Sequence, residues 1–132
     1  PSWDDKVREV FDNYPDKILF VYPNDHWHRS NFGNTGFLHK NWTDTVGYLA
    51  RPDLVRYGDC WINEVANKIG RRFYINGVGV KNFDIKTDET HLELTSQTEK
   101  SQCLKKYQSK ELQDARKKDA ELLKRFIVNF KQ

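Results

Sequence analysis

The sequence contains few of the features that mark secreted, membrane-spanning or metal-stapled proteins. Its two cysteines, Cys60 and Cys103, lie far apart and form no CxxC pair, which argues against a disulfide framework and against a zinc knuckle. The longest continuous apolar run, residues 18–22, is far shorter than the ~20 residues that a membrane-spanning helix requires. The first residues are charged and unlike a signal peptide. We therefore expect a soluble, cytoplasmic protein without a transmembrane segment.

Several familiar catalytic and nucleotide-binding motifs are also missing. The sequence contains no GxGxxG, P-loop, GxSxG or HExxH pattern. Neither cysteine has a histidine neighbour in sequence, and no serine stands in a nucleophile elbow. Nucleophilic catalysis is therefore not indicated.

The sequence is instead rich in aromatic side chains and in charge. Its 132 residues include 8 Phe, 6 Tyr and 4 Trp, and 31% of them are charged. Large rings can build a core with few aliphatic residues, and a chain of this length suits one compact domain. The charge is uneven, because residues 100–132 carry 10 Lys or Arg against 4 Asp or Glu, whereas residues 1–99 carry 12 against 15.

The first part of the chain alternates helical and extended patterns. Ser2 followed by Asp5 is typical of a helix start, and Asn13-Tyr14-Pro15 ends that helix. Residues 17–22 form a nearly continuous apolar stretch closed by Pro23, which predicts an interior strand covered on both faces. The remaining pattern predicts a loop over residues 23–36, a short strand over 37–38 and a short helix over 40–46.

A second helix and further strands follow. Asp59 can begin a helix whose apolar stripe faces a core, and Gly70 is its expected stop. Residues 72–75 and 78–80 predict two short strands, joined through Asn76-Gly77 by a tight turn or a loop. This alternation predicts an α/β domain over residues 1–99, with a small mixed sheet flanked by helices.

The C-terminal segment, residues 100–132, predicts a basic amphipathic helical extension. Apolar residues recur at three- and four-residue steps, while charges of both signs interleave between them. The apolar positions are Leu112, Ala115, Leu122, Leu123, Phe126, Ile127 and Phe130. The basic face is either the solvated side of a docked helix or a contact for a nucleic acid or an acidic membrane.

The densest polar cluster, Asn24-Asp25-His26-Trp27-His28, follows the predicted interior strand directly. It is a polar loop or the rim of a substrate site, a metal site with Asp25, Asp59 or Asp84 as oxygen ligands, or a region of pH-dependent packing. A metal-dependent nuclease is a further alternative, and it would use the group Asp25, His26, His28 and Asp59.

Asp59 is the sharpest single candidate for chemistry. It stands where a Gly-containing loop enters an amphipathic helix, so its carboxylate can serve as a general base for a hydroxyl in a cleft. The alternative is an ordinary helix cap, a role that Asp performs routinely.

Taken together, the stretch GFLHKNWTDTVGYLARPDLVRYGDCWINEVANKIGRRFYI resembles the second half of a nucleotide-sugar glycosyltransferase of the A-type fold, of the bacterial and phage family-2-like kind. The resemblance rests on an ordered set of short pieces over roughly residues 1–82. These pieces are Trp3-Asp4, the strand with Asn24-Asp25, Gly36-Phe37, the Trp42 helix, Gly47-Tyr48, Asp59-Cys60-Trp61-Ile62 and Gly70-Arg71-Arg72.

The resemblance implies an inverting sugar transfer. A carboxylate deprotonates an acceptor hydroxyl, which displaces a nucleoside diphosphate from the anomeric carbon of the donor. On this chain Asp59 matches the base, Tyr57 and Trp61 flank it and stack against a sugar ring, and Asn24, Asp25 and His26 bind substrate at the strand end. A divalent ion, Mg²⁺ or Mn²⁺, bridges the diphosphate in such enzymes.

The chain departs from the family pattern at two places. The donor-binding half with its Asp-x-Asp metal motif is missing from this sequence, so we expect the chain to be inactive without that half. Relatives carry a histidine metal ligand near the last strand, where this chain offers Asn82 and Asp84. The alternative to an enzyme portion is a non-catalytic binding or structural module, of a virus or phage for example, that docks onto a protein partner through its C-terminal helix.

Overall fold

The central strand of the sheet is the apolar stretch near the N-terminus. The computed structural model describes residues 3–24, 36–49, 51, 53–54, 57–79 and 97–130. Within them, strands β1 (Phe20–Asn24), β2 (Phe37–Leu38) and β3 (Arg72–Gly79) form a mixed sheet in the order β2-β1-β3. β1 pairs antiparallel with β2 and parallel with β3. The predicted α/β class with a small mixed sheet is confirmed.

Both faces of the segment leading into and along β1 are buried, as its sequence predicts. Ile18, Phe20 and Tyr22 belong to one core cluster, whereas Leu19 and Val21 belong to another. This alternation is the two-residue period of extended chain. Each face of the sheet therefore has its own layer of packing.

Five helices occur in the described part of the chain, and they cover the two faces unequally. They are α1 (Trp3–Asp12), α2 (Lys40–Val46), α3 (Gly58–Ile69), α4 (Gln97–Gln108) and α5 (Lys110–Asn129). Val7 of α1 packs with Leu19 and Val21 on one face, and residues of α2, α3 and α5 share the core on the other. None of the helices in these described ranges has the length and apolar content that a membrane crossing requires.

The strand after α3 differs from its prediction. One strand, β3, runs through Asn76-Gly77 without a hairpin turn. Pro23 of β1 pairs with Ile75, but the next residue, Asn24, pairs with Gly79, so β3 bulges over residues 76–78. The bulge accommodates the residues that the sequence assigned to a turn or loop.

The C-terminal segment is helical, as predicted, and its long amphipathic helix begins after Ser109. It forms two helices, because Ser109 ends α4 and caps α5 by accepting a hydrogen bond from the backbone N–H of Leu112. Leu112, Ala120 and Leu123 of α5 are buried in the same cluster as Trp61 of α3. Residues on both sides of the predicted boundary at 99–100 therefore share one core cluster.

A buried ion pair fixes the start of β1 beside the end of α3. The Arg71 guanidinium donates to both carboxylate oxygens of Asp16, at 2.8 and 3.1 Å, and also to the carbonyl of Ile18. The backbone N–H of Phe20 donates to the Arg71 carbonyl at 2.8 Å. The C-terminal end of α3 is thereby held at the edge of the sheet where β1 and β3 begin.

Candidate functional site

Asp59 lies in the first turn of α3, but it does not cap the helix. The N-cap residue is Tyr57, which adopts a left-handed conformation with φ 69° and makes no side-chain capping bond. The half-buried Asp59 carboxylate accepts a hydrogen bond from the backbone N–H of Cys60 at 2.9 Å. A carboxylate at this position is stabilised by the positive end of the helix dipole. The alternative prediction, that Asp59 is the helix cap, is therefore wrong, because Asp59 lies inside the first turn of the helix.

The face of α3 that carries Asp59 is the face that meets the sheet. Asp59, Asn63 and Ala66 recur at helical spacing, and Asn63 and Ala66 are buried. The Asn63 side chain donates to the Asp59 carbonyl at 2.8 Å and accepts from Arg72 Nε of β3 at 2.8 Å. Asp59 thus stands at the N-terminal end of a sheet-facing stripe.

The connection between α3 and β3 relates this end of the helix to one edge of the sheet. The C-terminal end of α3 lies where β1 and β3 begin, so an α3 that runs antiparallel to these strands directs its first turn toward the edge where they finish. That edge carries Asn24 at the end of β1 and Gly79 at the end of β3. In open α/β sheets, ligands bind at the carboxyl ends of the strands. Within the described residues, Asp59 has no ion-pair partner at this edge.

The two aromatic residues that flank Asp59 have different positions. Tyr57 is half-buried, and its ring lies 5.5 Å from the ring of Tyr107 on α4. Trp61 is only 5% exposed and belongs to the core. A sugar ring has no access to a face of this indole, so the structure does not support the predicted stacking role of Trp61. Tyr57 keeps an exposed part beside the first turn of α3.

Trp61 is the centre of a buried polar network that links α3 to α5. Its indole N–H donates to Asp119 Oδ2 at 2.9 Å, and the hydroxyl of Tyr48 donates to the same carboxylate oxygen. The Asp119 side chain is buried, with a residue exposure of 7%. Burial raises the pKa of the Tyr48 phenol well above its usual value, and the neighbouring Asp119 carboxylate adds to this rise. The Tyr48 phenol therefore stays protonated at neutral pH.

Trp61 also contacts Tyr107 of α4 and Arg116 of α5. The Arg116 guanidinium carbon lies 5.2 Å from the Trp61 ring and 4.0 Å from the Tyr107 ring centroid. Burial, followed by the effect of the Glu64 carboxylate, raises the pKa of Tyr107 to about 12. The aromatic rings around α3 thus pack against charged groups of the C-terminal helices.

Cys60 next to Asp59 is not an activated nucleophile. Burial raises the pKa of its thiol, and the carboxylates of Asp59 and Glu64 raise it further. Since the reactive species of cysteine is the thiolate, this environment disfavours nucleophilic chemistry at Cys60.

The sequence reasoning did not identify the residues of the polar network, namely Tyr48, Tyr107, Arg116 and Asp119. Arg116 and Asp119 looked like solvated charges of an amphipathic helix. A signal was nevertheless present, because positions 112, 116, 119, 120 and 123 recur at three- and four-residue steps and are all buried. Both charged residues fall on that stripe.

The other predicted site residues lie at the end of β1 or outside the described part of the chain. Asn24 ends β1, but its side chain is outside the described part of the chain, as are Asp25, His26, Asn82 and Asp84. The described residues contain no group of three or more His, Cys, Asp or Glu side chains that could hold a metal ion. They therefore give no ligand set with which to test the fit of Mg²⁺ or Mn²⁺.

The chain was compared with protein families, curated proteins and solved structures. No family model matches it, and no curated protein or solved structure shows significant similarity to it.

Proposed function

We propose that this domain is the acceptor-side portion of a sugar-transferring enzyme, with Asp59 as the general base. One observation carries the proposal, which is the position of Asp59. Its half-buried carboxylate, without an ion-pair partner among the described residues, lies in the first turn of the helix that leads into β3, and an antiparallel course of this helix directs that turn toward the carboxyl edge of the parallel pair β1 and β3. A polar group at that edge of an α/β sheet is positioned to meet a ligand.

The proposed reaction transfers a sugar from a nucleotide-activated donor to an acceptor hydroxyl. Asp59 takes the hydroxyl proton while the acceptor oxygen forms a bond to the anomeric carbon. The bond between that carbon and the nucleoside diphosphate breaks, and the diphosphate leaves with the bonding electron pair. Tyr57 borders the acceptor, and its half-exposed ring offers a surface for sugar stacking.

The donor side of the reaction needs further components. The proposal includes a nucleotide-binding half, supplied in the same chain or by a partner, and a divalent ion that neutralises the leaving diphosphate. The predicted substrate residues Asn24, Asp25 and His26 and the predicted metal residues Asn82 and Asp84 belong to this proposal. A cytoplasmic location is also part of it, and the free thiols of Cys60 and Cys103 are compatible with a reducing compartment.

The test of the base is the substitution Asp59→Asn. Asparagine keeps the size of the side chain and can still accept from the Cys60 N–H, so the fold should be retained. General-base catalysis contributes about 10²- to 10⁴-fold to a rate, and we expect sugar transfer to fall by at least about 100-fold. The assay measures nucleoside diphosphate release and labelled acceptor, with Mn²⁺ present and the nucleotide-binding half supplied.

The matched control is Asp44→Asn, which alters an exposed carboxylate on α2. Both variants should have the thermal midpoint of the unmodified protein within a few degrees. Transfer by the Asp59→Asn protein at the unmodified rate would refute the role of Asp59 as base.

The alternative of a module that docks through its C-terminal helix is less well supported. Leu112, Ala120 and Leu123 of α5 are buried in the domain itself, so this part of the apolar stripe is not available to a partner. Calorimetry distinguishes the two functions. Heat from a nucleoside diphosphate that depends on Mn²⁺ and on the supplied nucleotide-binding half favours the transferase, and the absence of such heat at millimolar ligand favours the module.

The metal-dependent nuclease is not favoured by any described contact. Asp59 is the one residue of its predicted set, Asp25, His26, His28 and Asp59, whose side chain belongs to the described part of the chain.

A further inference from the structure

A polar groove of about 450 Å³ lies between α3, α4 and α5, on a different side of α3 from Asp59. Its lining includes Glu64 and Lys68 of α3, Tyr107 of α4, and Arg116 and Lys117 of α5. Glu64 contacts Arg116 of α5, whereas the Asp59 stripe contacts β3 through Asn63 and Arg72. The groove therefore does not include Asp59, although the ring of Tyr107 in its lining lies 5.5 Å from the ring of Tyr57.

Arg116 is the deepest charged group of the groove. Its side chain is only 3% exposed. Nε donates to the Glu64 carboxylate, and Nη1 donates to the Tyr107 carbonyl at 2.8 Å. A guanidinium has five N–H groups, and the described residues offer no acceptor for the other three, including both on Nη2. Charged N–H donors form their strongest hydrogen bonds with anionic oxygens, so these N–H groups favour an anionic oxygen in the groove.

The two aromatic rings limit how Arg116 can turn. Its guanidinium carbon lies 4.0 Å from the Tyr107 ring centroid, and the Trp61 ring lies on another side at 5.2 Å. An arginine stacked on rings keeps its donor edge in a fixed direction, which is the arrangement used for planar recognition of phosphate and carboxylate oxygens. Little side-chain entropy is lost when such a donor binds an anion.

The charge of the groove defines the kind of anion. Glu64 compensates Arg116, while Lys68 and Lys117 are exposed and form no ion pair within the described residues. The four side chains together leave two positive charges in excess. A phosphate group with two negative charges matches this excess, whereas a monocarboxylate matches half of it.

We propose that this groove binds a ligand that carries a phosphate group. The free donor edge of Arg116 hydrogen-bonds the phosphate oxygens, and Lys68 and Lys117 flank them from the rim. Glu64 orients the Arg116 guanidinium through Nε.

The test is calorimetric titration of the full chain with inorganic pyrophosphate, in metal-free buffer at low ionic strength. The same titration is followed by amide chemical shifts. The informative variant is Lys68→Gln with Lys117→Gln, which leaves the buried residues unchanged. Its matched control is Lys105→Gln with Lys118→Gln, which removes two exposed lysines of α4 and α5 outside the groove lining.

We expect pyrophosphate to bind and the groove variant to bind about tenfold more weakly, since two partly solvated charge contacts contribute about 1.4 kcal/mol together. The control should bind within about twofold of the unmodified protein. Glu64→Gln should bind more tightly, because it removes the negative charge beside Arg116. Equal weakening in the two double variants, or no heat and no shifts at 10 mM pyrophosphate, would overturn the proposal.

A second experiment distinguishes two possible sources of the phosphate group, a soluble phosphate ester and a lipid headgroup. Vesicles of phosphatidylcholine with one tenth phosphatidic acid are sedimented with the protein. Pyrophosphate binding without sedimentation assigns the groove to a soluble phosphate ester. Sedimentation that the groove variant loses and the control keeps assigns it to a lipid headgroup.

Discussion

The substitution Asp119→Ala should destabilise the domain more than its single lost carboxylate suggests. It removes the acceptor of two buried donors, the Trp61 indole N–H at 2.9 Å and the Tyr48 hydroxyl. Each buried donor left without an acceptor costs about 1–3 kcal/mol of stability. Part of this loss is offset, because the desolvation penalty of the buried Asp119 carboxylate is removed as well. We expect a loss of about 3 kcal/mol, a large fraction of the ~5–15 kcal/mol by which domains are stable.

The assay is equilibrium unfolding in urea, followed by tryptophan fluorescence and by circular dichroism. With a slope of about 2 kcal/mol per M, the midpoint should fall by about 1.5 M. Asp114→Ala is the control, because Asp114 is an exposed carboxylate on the same helix, and its effect should stay within about 0.5 kcal/mol.

A double-mutant cycle isolates the bond between α3 and α5. Trp61→Phe removes the indole N–H and keeps a large ring. In that background Asp119→Ala should cost about 1 kcal/mol less than in the unmodified protein, because one of the two donors is gone. A coupling energy of zero, or an Asp119→Ala cost equal to that of Asp114→Ala, would refute the reasoning that the two donors depend on this carboxylate.

Two further predictions concern titration and the buried ion pair. A spectroscopic difference titration between the unmodified protein and Tyr107→Phe should show a phenol that ionises near pH 12. Because this pKa is raised above the unfolded value, the stabilisation from Tyr107 is complete below about pH 10 and is lost as the pH rises toward 12; a step near pH 10 would contradict this. Arg71→Ala should cost about 3–5 kcal/mol in urea unfolding because it leaves the Asp16 carboxylate, whose side chain is 10% exposed, without its cation. Arg8→Ala should change stability by less than about 0.5 kcal/mol, since the Arg8–Asp4 pair is solvent-exposed, and equal effects of the two substitutions would be inconsistent with the burial difference.

The fold features that the sequence predicted are those with local signals. The unbroken apolar run over residues 18–22 predicted β1 as an interior strand, and the structure buries its side chains alternately in two core clusters. The apolar stripe of α3 and the left-handed Gly70 at its end, with φ 71°, identify the second helix and its stop. Such signals depend on periodicity and on backbone conformation, both of which are set by neighbours in sequence.

The features that were missed depend on distant partners. Arg116 and Asp119 are buried because Glu64, Trp61 and Tyr48, which precede them by 52 to 71 residues, satisfy their charges and hydrogen bonds. A helical pattern alone cannot distinguish these residues from solvated charges. The bulge in β3 has the same origin, since it follows from the pairing of Pro23 and Asn24 with a strand about 50 residues later.

The place of α5 in the core has a consequence for how the chain folds during synthesis. The bonds from Tyr48 and Trp61 to Asp119 span 71 and 58 residues. While α5 is still inside the ribosome, Trp42, Trp61 and Val65 have emerged without Leu112 and Leu123, the side chains that complete their cluster. We expect the nascent domain to remain open on this side of the sheet until α5 emerges, which makes the emergence of that helix a condition for cooperative folding.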